Sequence, residues 1–423
     1  MEVFKFGGAS VKDAAGVRNL ANIVKDYKVA ELLIVVSAMG KMTNRLEDLT
    51  QAYLSKTENL NVIFEEVKNF HFNLIDELFE GNHHAVYDDV ANTFVEIDWL
   101  LEDAPDGNDA YIYDQIVSIG EIVSTKIIAA WLNHCGQKTL WADARSYIQT
   151  DNTHREGKVN WDKTEKIIQE DLLPVLSQNI VVTQGFIGGT TENYTTTLGR
   201  EGSDYSAAIF AYCLNANAVT IWKDVPGVLN ADPKWFDVTE KIDQMSYYDA
   251  IELTYYGATV IHPKTIKPLQ NKDIPLYVRS FLQPAEKGTI IANTSNPLPI
   301  PSFIFKINQA LISIFPKDYS FIIEENLSKI FDLFHKHNVK INTMLNSAMS
   351  FSVSVDDNEE TVKKLLEVLS TDFMVKYNRD LELVTIRYYD EQTIARTIVN
   401  KEILLEVKSR HTCQMVMKNL ANS

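Results

Sequence analysis

The sequence predicts an α/β fold with a mostly parallel central sheet, followed by smaller α+β units of ferredoxin-like type. Three observations lead there. Short apolar runs alternate with helical patterns over the first 296 residues. Glycine then stops, since all 17 glycines lie at or before Gly288. Beyond that point a strand–helix–strand–strand–helix–strand pattern begins.

In the first part, Leu32–Val36, Asn179–Thr183 and Ala218–Trp222 are apolar throughout, as expected of strands buried on both faces. Gln115–His134 and Ser206–Leu214 have helical spacing, with Gly136 in the stop position after the former. Residues 56–106 predict a separate helical stretch that closes at Ala104-Pro105-Asp106-Gly107. Within it, His83-His84 beside Gly81-Asn82 fits an exposed turn better than a metal site. Alternating prolines at Pro297, Pro299 and Pro301 forbid helix and place a boundary near residue 296. This divides a catalytic domain at 1–296 from a second region at 297–423. That region's first unit, about 303–378, comprises strand Leu311–Phe315, helix Glu324–His337, strands Val339–Leu345 and Ser350–Val355, helix Glu359–Leu369 and strand Phe373–Tyr377. A second, abbreviated unit, about 379–423, follows as Leu381–Tyr388, a short helix at Glu391–Thr397, then Glu402–Lys408 and Cys413–Lys418.

A chain of 423 residues implies two or three domains, and 45% hydrophobic with 23% charged residues is ordinary globular composition. The net charge of −17 opposes nucleic acid and anionic lipid, so a phosphate-bearing substrate must be held by local cations and backbone N–H groups. The N-terminus lacks a basic segment leading into an apolar one, and no apolar run approaches the roughly 18 residues of a membrane span. A cytoplasmic protein without membrane or nucleic-acid partners is expected. Cys135, Cys213 and Cys413 have neither the number nor the spacing of a disulfide framework or zinc knuckle.

Chemistry-bearing residues gather where strands end. After the first strand, Lys5-Phe6-Gly7-Gly8-Ala9-Ser10 combines a cation with adjacent glycines, which suits either a phosphate cradle or a tight turn. Ser37-Ala38-Met39-Gly40 with Thr43-Asn44 forms a second polar junction, and ligands of open α/β sheets collect at such strand ends. Gly199-Arg200-Glu201-Gly202-Ser203-Asp204 offers a guanidinium fork, a hydroxyl and an acid just before a helix. Trp222-Lys223-Asp224-Val225-Pro226-Gly227, followed by Asp232-Pro233-Lys234, suits a nucleotide or a plain turn with a solvated lysine. Tyr256–Lys264 presents His262 and Lys264, the histidine fitting a structural role better than that of a general base.

Together these segments resemble the aspartate kinases of the amino acid kinase family. Lys5–Ser10 looks like their KFGG[TS]S opening, Ser37–Asn44 like their VSA…TN segment, and Ser118–Glu121 like their SxGE helix. Thr197–Tyr205 is similar to TLGRGGSDY, Ile221–Pro233 to WTDVPG…DP, and Gly257–Pro263 to GAxVxHP. The resemblance implies an amino acid kinase-like three-layer αβα sandwich followed by ferredoxin-like modules of ACT type. It implies phosphorylation of the side-chain carboxylate of L-aspartate by ATP with Mg²⁺, the first step of lysine, threonine and methionine biosynthesis. Lys5 would then steady the transferring phosphoryl group and Asp204 organise the groups around it. Arg200 would hold the substrate α-carboxylate and Glu121 its ammonium, with Ser37, Thr43 and Ser203 completing the pocket. Gly7, Gly8, Ser10, Lys223, Asp224, Leu229 and Lys234 fall at nucleotide or phosphate positions. Thr259 stands where many members place a phosphate-binding lysine, and Lys264 is a candidate replacement. Ala9, Glu201, Lys223 and Leu229 also depart from the usual pattern, at positions of Thr, Gly, Thr and an aromatic. The ACT-like region implies a homodimer and an amino-acid effector, lysine or threonine, although Phe315–Tyr319 lacks the glycine common in that turn. A related kinase acting on another carboxylate, or a catalytically weak amino-acid sensor, is the alternative.

Overall fold

The structure is a computed structural model that describes residues 1–81, 84–105, 107–236, 238–258, 261–294, 300–318 and 320–420. Its contacts divide the chain into two compact units. One comprises Met1–Val228, Lys241–Ile251 and Val260–Asn296; the other comprises Leu229–Glu240, Glu252–Thr259 and Pro297–Ser423. Two segments that precede the proline connector, 229–240 and 252–259, therefore cluster with the C-terminal region.

The first unit is built on eight strands: β1 (Glu2–Phe6), β2 (Leu32–Val36), β3 (Thr139–Ala142), β4 (Ile180–Gln184), β7 (Ala218–Lys223), β8 (Gln244–Ser246), β9 (Leu276–Ser280) and β10 (Thr289–Ala292). A short antiparallel pair, β5 (Ile187–Gly189) and β6 (Thr195–Thr197), stands apart. The eight are ordered β3-β4-β2-β1-β7-β9-β10-β8, parallel except where β10 runs against β9. The apolar runs named above are the central strands. All five residues of β2 are buried, as two covered faces require. Alternation along β1 sends Phe4 and Phe6 to one face, where they pack on Trp222, while Lys5 points to the other. Helix Gly202–Leu214 packs across β1 on the Lys5 side.

The predicted helical stretch is present as Leu60–Leu78 and Ala85–Glu102. His84 accepts a hydrogen bond from the Val86 N–H as the cap of the latter; His83 lies outside the described residues. Among the described residues one helical stretch, Asp109–His134, is long and apolar enough to cross a membrane, and most of it is buried inside the unit.

The second unit carries a six-stranded antiparallel sheet: β11 (Ser302–Pro316), β12 (Ile341–Asn346), β13 (Phe351–Asp356), β14 (Phe373–Arg387), β15 (Lys401–Lys408) and β16 (Thr412–Asn419). The order is β12-β13-β11-β14-β16-β15. Strands predicted as separate, Phe373–Tyr377 and Leu381–Tyr388, are one strand that bends at Asp380, opposite a bend in β11 at Asn308. Both bend residues have positive φ, which Asn and Asp tolerate better than other side-chain-bearing residues. Helices Glu324–Lys336 and Glu359–Asp372 cover the first half, with Ile330, Phe334, Leu365 and Leu369 buried against Ile312, Ile314 and Val353. In the second half, residues 302–306 pair with 383–387, so the start of β11 supplies a strand to the abbreviated unit.

Candidate active site

Chain order changes direction at β1, with β2 on one side and β7 on the other, and such a switch opens a crevice at the strand ends. In register, Phe6 faces Val36 and Trp222 across the two ladders. The segments Gly7-Gly8, Ser37-Ala38 and Lys223 therefore emerge side by side. Their approach is close enough to demand glycine: a Cβ on Gly8 would lie 2.6 Å from the Ala38 carbonyl oxygen.

A cavity of about 810 Å³ opens there. On its wall Lys5 and Asp204, 8% and 3% exposed, meet with Nζ to Oδ1 at 2.6 Å. Lys223 approaches the other Asp204 oxygen at 3.7 Å. Burial alone would push the Asp204 carboxyl up, but the two lysine charges outweigh it and hold the group below its ordinary range. Asp204 sits in the first turn of helix Gly202–Leu214, so the helix dipole also favours its charge. This arrangement keeps two ammonium groups, directed by one carboxylate, on the cavity wall.

Glu121, in the first turn of helix Ile119–His134, is the second buried acid. One oxygen accepts the Ala38 N–H at 3.3 Å, and the other is buried without a partner among the described residues. Burial pushes this carboxyl up to about 8, against the Ala38 N–H and the Lys5 charge. An acid so placed awaits a cation or donor. Ser37, Thr43, Arg200 and Ser203 line the same cavity, and Arg200 makes no ion pair among the described residues.

The amino acid kinase family model matches residues 1–280 of the chain. The lysine-sensitive aspartokinase 3 of Escherichia coli is 30% identical over 394 residues, covering 91% of this chain and 86% of its own length. The chain belongs to the aspartokinases of the amino acid kinase family. Two solved structures of E. coli aspartokinase III, one in complex with lysine and aspartate and one with aspartate and ADP, superpose with a TM-score of 0.82 at 27% identity. Each comparison covers 98% of this chain, against 95% and 96% of the other. A bifunctional aspartokinase/homoserine dehydrogenase of Arabidopsis thaliana is 30% identical, but the chain spans only 35% of its length.

Of the residues expected in an aspartokinase site, Lys5, Ser37, Thr43, Glu121, Arg200, Ser203, Asp204 and Lys223 share the cavity wall. Gly7 and Gly8 follow β1, and a Cβ on Gly7 would lie 3.5 Å from Lys5 Nζ. Ser10 is buried, its hydroxyl directed at the Trp222 carbonyl at 3.5 Å. Asp224 is exposed after β7, and Lys264 is exposed in the first turn of helix Pro263–Asn271, whose cap is His262. Leu229 and Lys234 fall in the other compact unit, and Thr259 lies outside the described residues. Glu201, where the family pattern has glycine, adopts the left-handed conformation at φ 54° and buries an Oε2 unpaired among the described residues. That backbone geometry gives a physical reason for glycine at this position.

The cavity also contains Glu47, Tyr113, Arg155, Glu156 and Phe186, which the sequence motifs did not single out. Glu47 and Tyr113 lie on helices Met42–Leu54 and Asp109–Val117, Arg155 and Glu156 in an irregular loop, and Phe186 at φ 70° in the turn between β4 and β5. No group of three His, Cys, Asp or Glu side chains converges as a metal cage among the described residues.

Proposed function

We propose that this aspartokinase transfers the γ-phosphoryl group of Mg-ATP to the side-chain carboxylate of L-aspartate, giving 4-phospho-L-aspartate and ADP, within the cavity described. The observation that carries this reading is the buried Lys5–Asp204–Lys223 cluster at the sheet's switch point, sharing one cavity with Glu121 and Arg200. The attacking oxygen belongs to a carboxylate already ionised at neutral pH, so no general base is required. It forms a bond to the γ-phosphorus as the bond to the bridging oxygen breaks, and the electron pair leaves with ADP. Lys5 offsets charge on the transferring group, and Asp204 holds Lys5 and Lys223 in place. Mg²⁺, when bound, would take most of its ligands from the nucleotide phosphates and water and would neutralise phosphate charge. Arg200 would clamp the substrate α-carboxylate, and the unmatched oxygen of Glu121 would take its ammonium.

A lysine-sensitive relative, solved with lysine bound, makes lysine the first effector to test and threonine the second. Among the described residues the six-stranded sheet ends in β12, with exposed Met344 and Leu345, and β15, with exposed Ile403, each lacking a further ladder partner. Open apolar edges favour pairing with a second copy, and we assign a homodimer, working in the cytosol. An ADP-release assay with aspartate, glutamate, acetylglutamate and no acceptor tests the reading. Aspartate-dependent turnover is expected; turnover with another acceptor alone would replace the substrate, and lysine binding without any turnover would make the chain a sensor.

A further inference from the structure

We infer that Arg155 is a second carboxylate-binding guanidinium of the amino-acid pocket, held there by the buried carboxylate of Asp114 and the ring of Tyr113. The inference rests on the function proposed above and concerns a residue outside every recognised motif.

Charge accounting points to it. A dicarboxylate amino acid brings two negative groups and one positive group. The cations on the cavity wall are Lys5, Lys223, Arg155 and Arg200, beside several glutamates of the same wall; the two lysines converge on Asp204, which leaves the two guanidinium groups for carboxylates of the substrate. Arg155 makes no ion pair among the described residues. Its guanidinium lies over the Tyr113 ring, 4.1 Å from the centroid. Stacking restrains the plane of the fork and leaves its edge able to meet a carboxylate.

The loop that presents Arg155 is built with unusual care. Asp114 is fully buried, and both of its oxygens accept the Arg155 N–H, at 3.2 and 3.0 Å. It also receives the Thr197 hydroxyl at 2.7 Å and lies 2.9 Å from His154 Nδ1. The Gly157 N–H donates to the Thr197 carbonyl at 2.8 Å, tying the loop to the strand that leads into Arg200. Arg155 itself sits at φ 66°, a left-handed conformation that costs energy for a residue with a side chain. Strain retained by so many bonds marks a residue whose direction matters. Tyr113 is anchored in turn, its hydroxyl donating to Glu47 at 2.7 Å. Glu47 shares helix Met42–Leu54 with Thr43, so Arg155 stands on the amino-acid side of the cavity.

Steady-state kinetics with wild type and three variants tests this. Arg155→Ala should raise the aspartate KM at least about tenfold, the scale of one charge-assisted hydrogen bond. At saturation kcat, and the KM for ATP, should stay within about threefold, the split expected of ground-state binding. Arg155→Lys keeps the charge but not the fork and should recover only part of the loss. Asp114→Asn, which disturbs the loop alone, should shift the aspartate KM in the same direction. An unchanged aspartate KM in Arg155→Ala, or a loss confined to ATP, would overturn the inference. Calorimetric titration of aspartate separates this from failure of the proposed function. If the wild type binds aspartate without turning it over, weaker binding by Arg155→Ala still supports the inference and equal binding still overturns it.

Discussion

A carboxyl group buried with one oxygen unmatched among the described residues, as Glu121 is, opposes folding, and in the proposed function that oxygen serves the ligand. Its pKa of about 8 lies above the unfolded value, so the folded protein holds a proton there that the unfolded chain has lost. Stability therefore falls as pH rises from about 4.5 to about 8, by on the order of 3 kcal/mol at neutral pH. Glu121→Gln should raise Tm over wild type more at pH 8 than at pH 5 while weakening aspartate binding; equal Tm differences at both pH values would contradict the assigned burial effect. An arriving ammonium favours the ionised acid, so aspartate binding at pH 7 should release a proton, seen as a binding heat that varies with the buffer's ionisation enthalpy. Lys5 belongs to the same scale, and in the proposed mechanism it serves the transition state. Lys5→Ala should lower kcat by about a hundredfold or more, the usual loss of one electrostatic stabiliser, and retention of half the wild-type kcat would remove Lys5 from the mechanism. Glu201 represents the reverse case, a side chain held in a left-handed conformation on the cavity wall, where the proposed reading places phosphate. Glu201→Gly should stabilise the protein by about 1 kcal/mol and lower the KM for ATP, checked by denaturant melts and initial rates.

At the scale of elements, the active site depends on how closely helix Gly202–Leu214 approaches the turn after β4. A Cβ on Gly185 would fall 2.5 Å from the Ser203 Cβ, so Gly185→Ala must push the helix terminus away from the strand ends. Overpacking of this kind costs about 1–3 kcal/mol. Because Asp204 moves with that terminus, activity should drop well before the fold is lost, and a folded variant with wild-type kcat would show that the helix can yield without moving Asp204. The motifs Lys5–Ser10 and Thr197–Tyr205 were legible because glycines and charges punctuate strand ends. The loop of Arg155 was not, because its conformation comes from Asp114, some forty residues away in sequence.

At the scale of the molecule, the chain crosses between its two units more than once. The Phe303 N–H donates to the Asn230 carbonyl at 2.7 Å, and Phe236 packs on Phe303 and Phe305. Arg387, buried in the C-terminal sheet, pairs with Glu252 at 3.1 Å. Deleting residues 300–423 should abolish dimerisation and any lysine response, and should also lower Tm by stripping these partners from Asn230, Phe236 and Glu252. Light scattering and thermal melts would check both; a stable, dimeric truncation would show that pairing resides in the kinase unit.

Sequence alone determined the alternation of buried strands and helices, the strand-end motifs and the ferredoxin-like pattern after the prolines, because each is written in local periodicity and in residues with restricted backbones. Tertiary structure decided what depended on distant partners. It joined β14 into one bent strand, lent residues 302–306 to the abbreviated unit, and clustered 229–240 and 252–259 with the C-terminal sheet. It also set Arg155 on Tyr113 and left one oxygen of Glu121 without a partner. Ladder partners, burial and charge proximity are properties of the packed chain, and no local pattern encodes them.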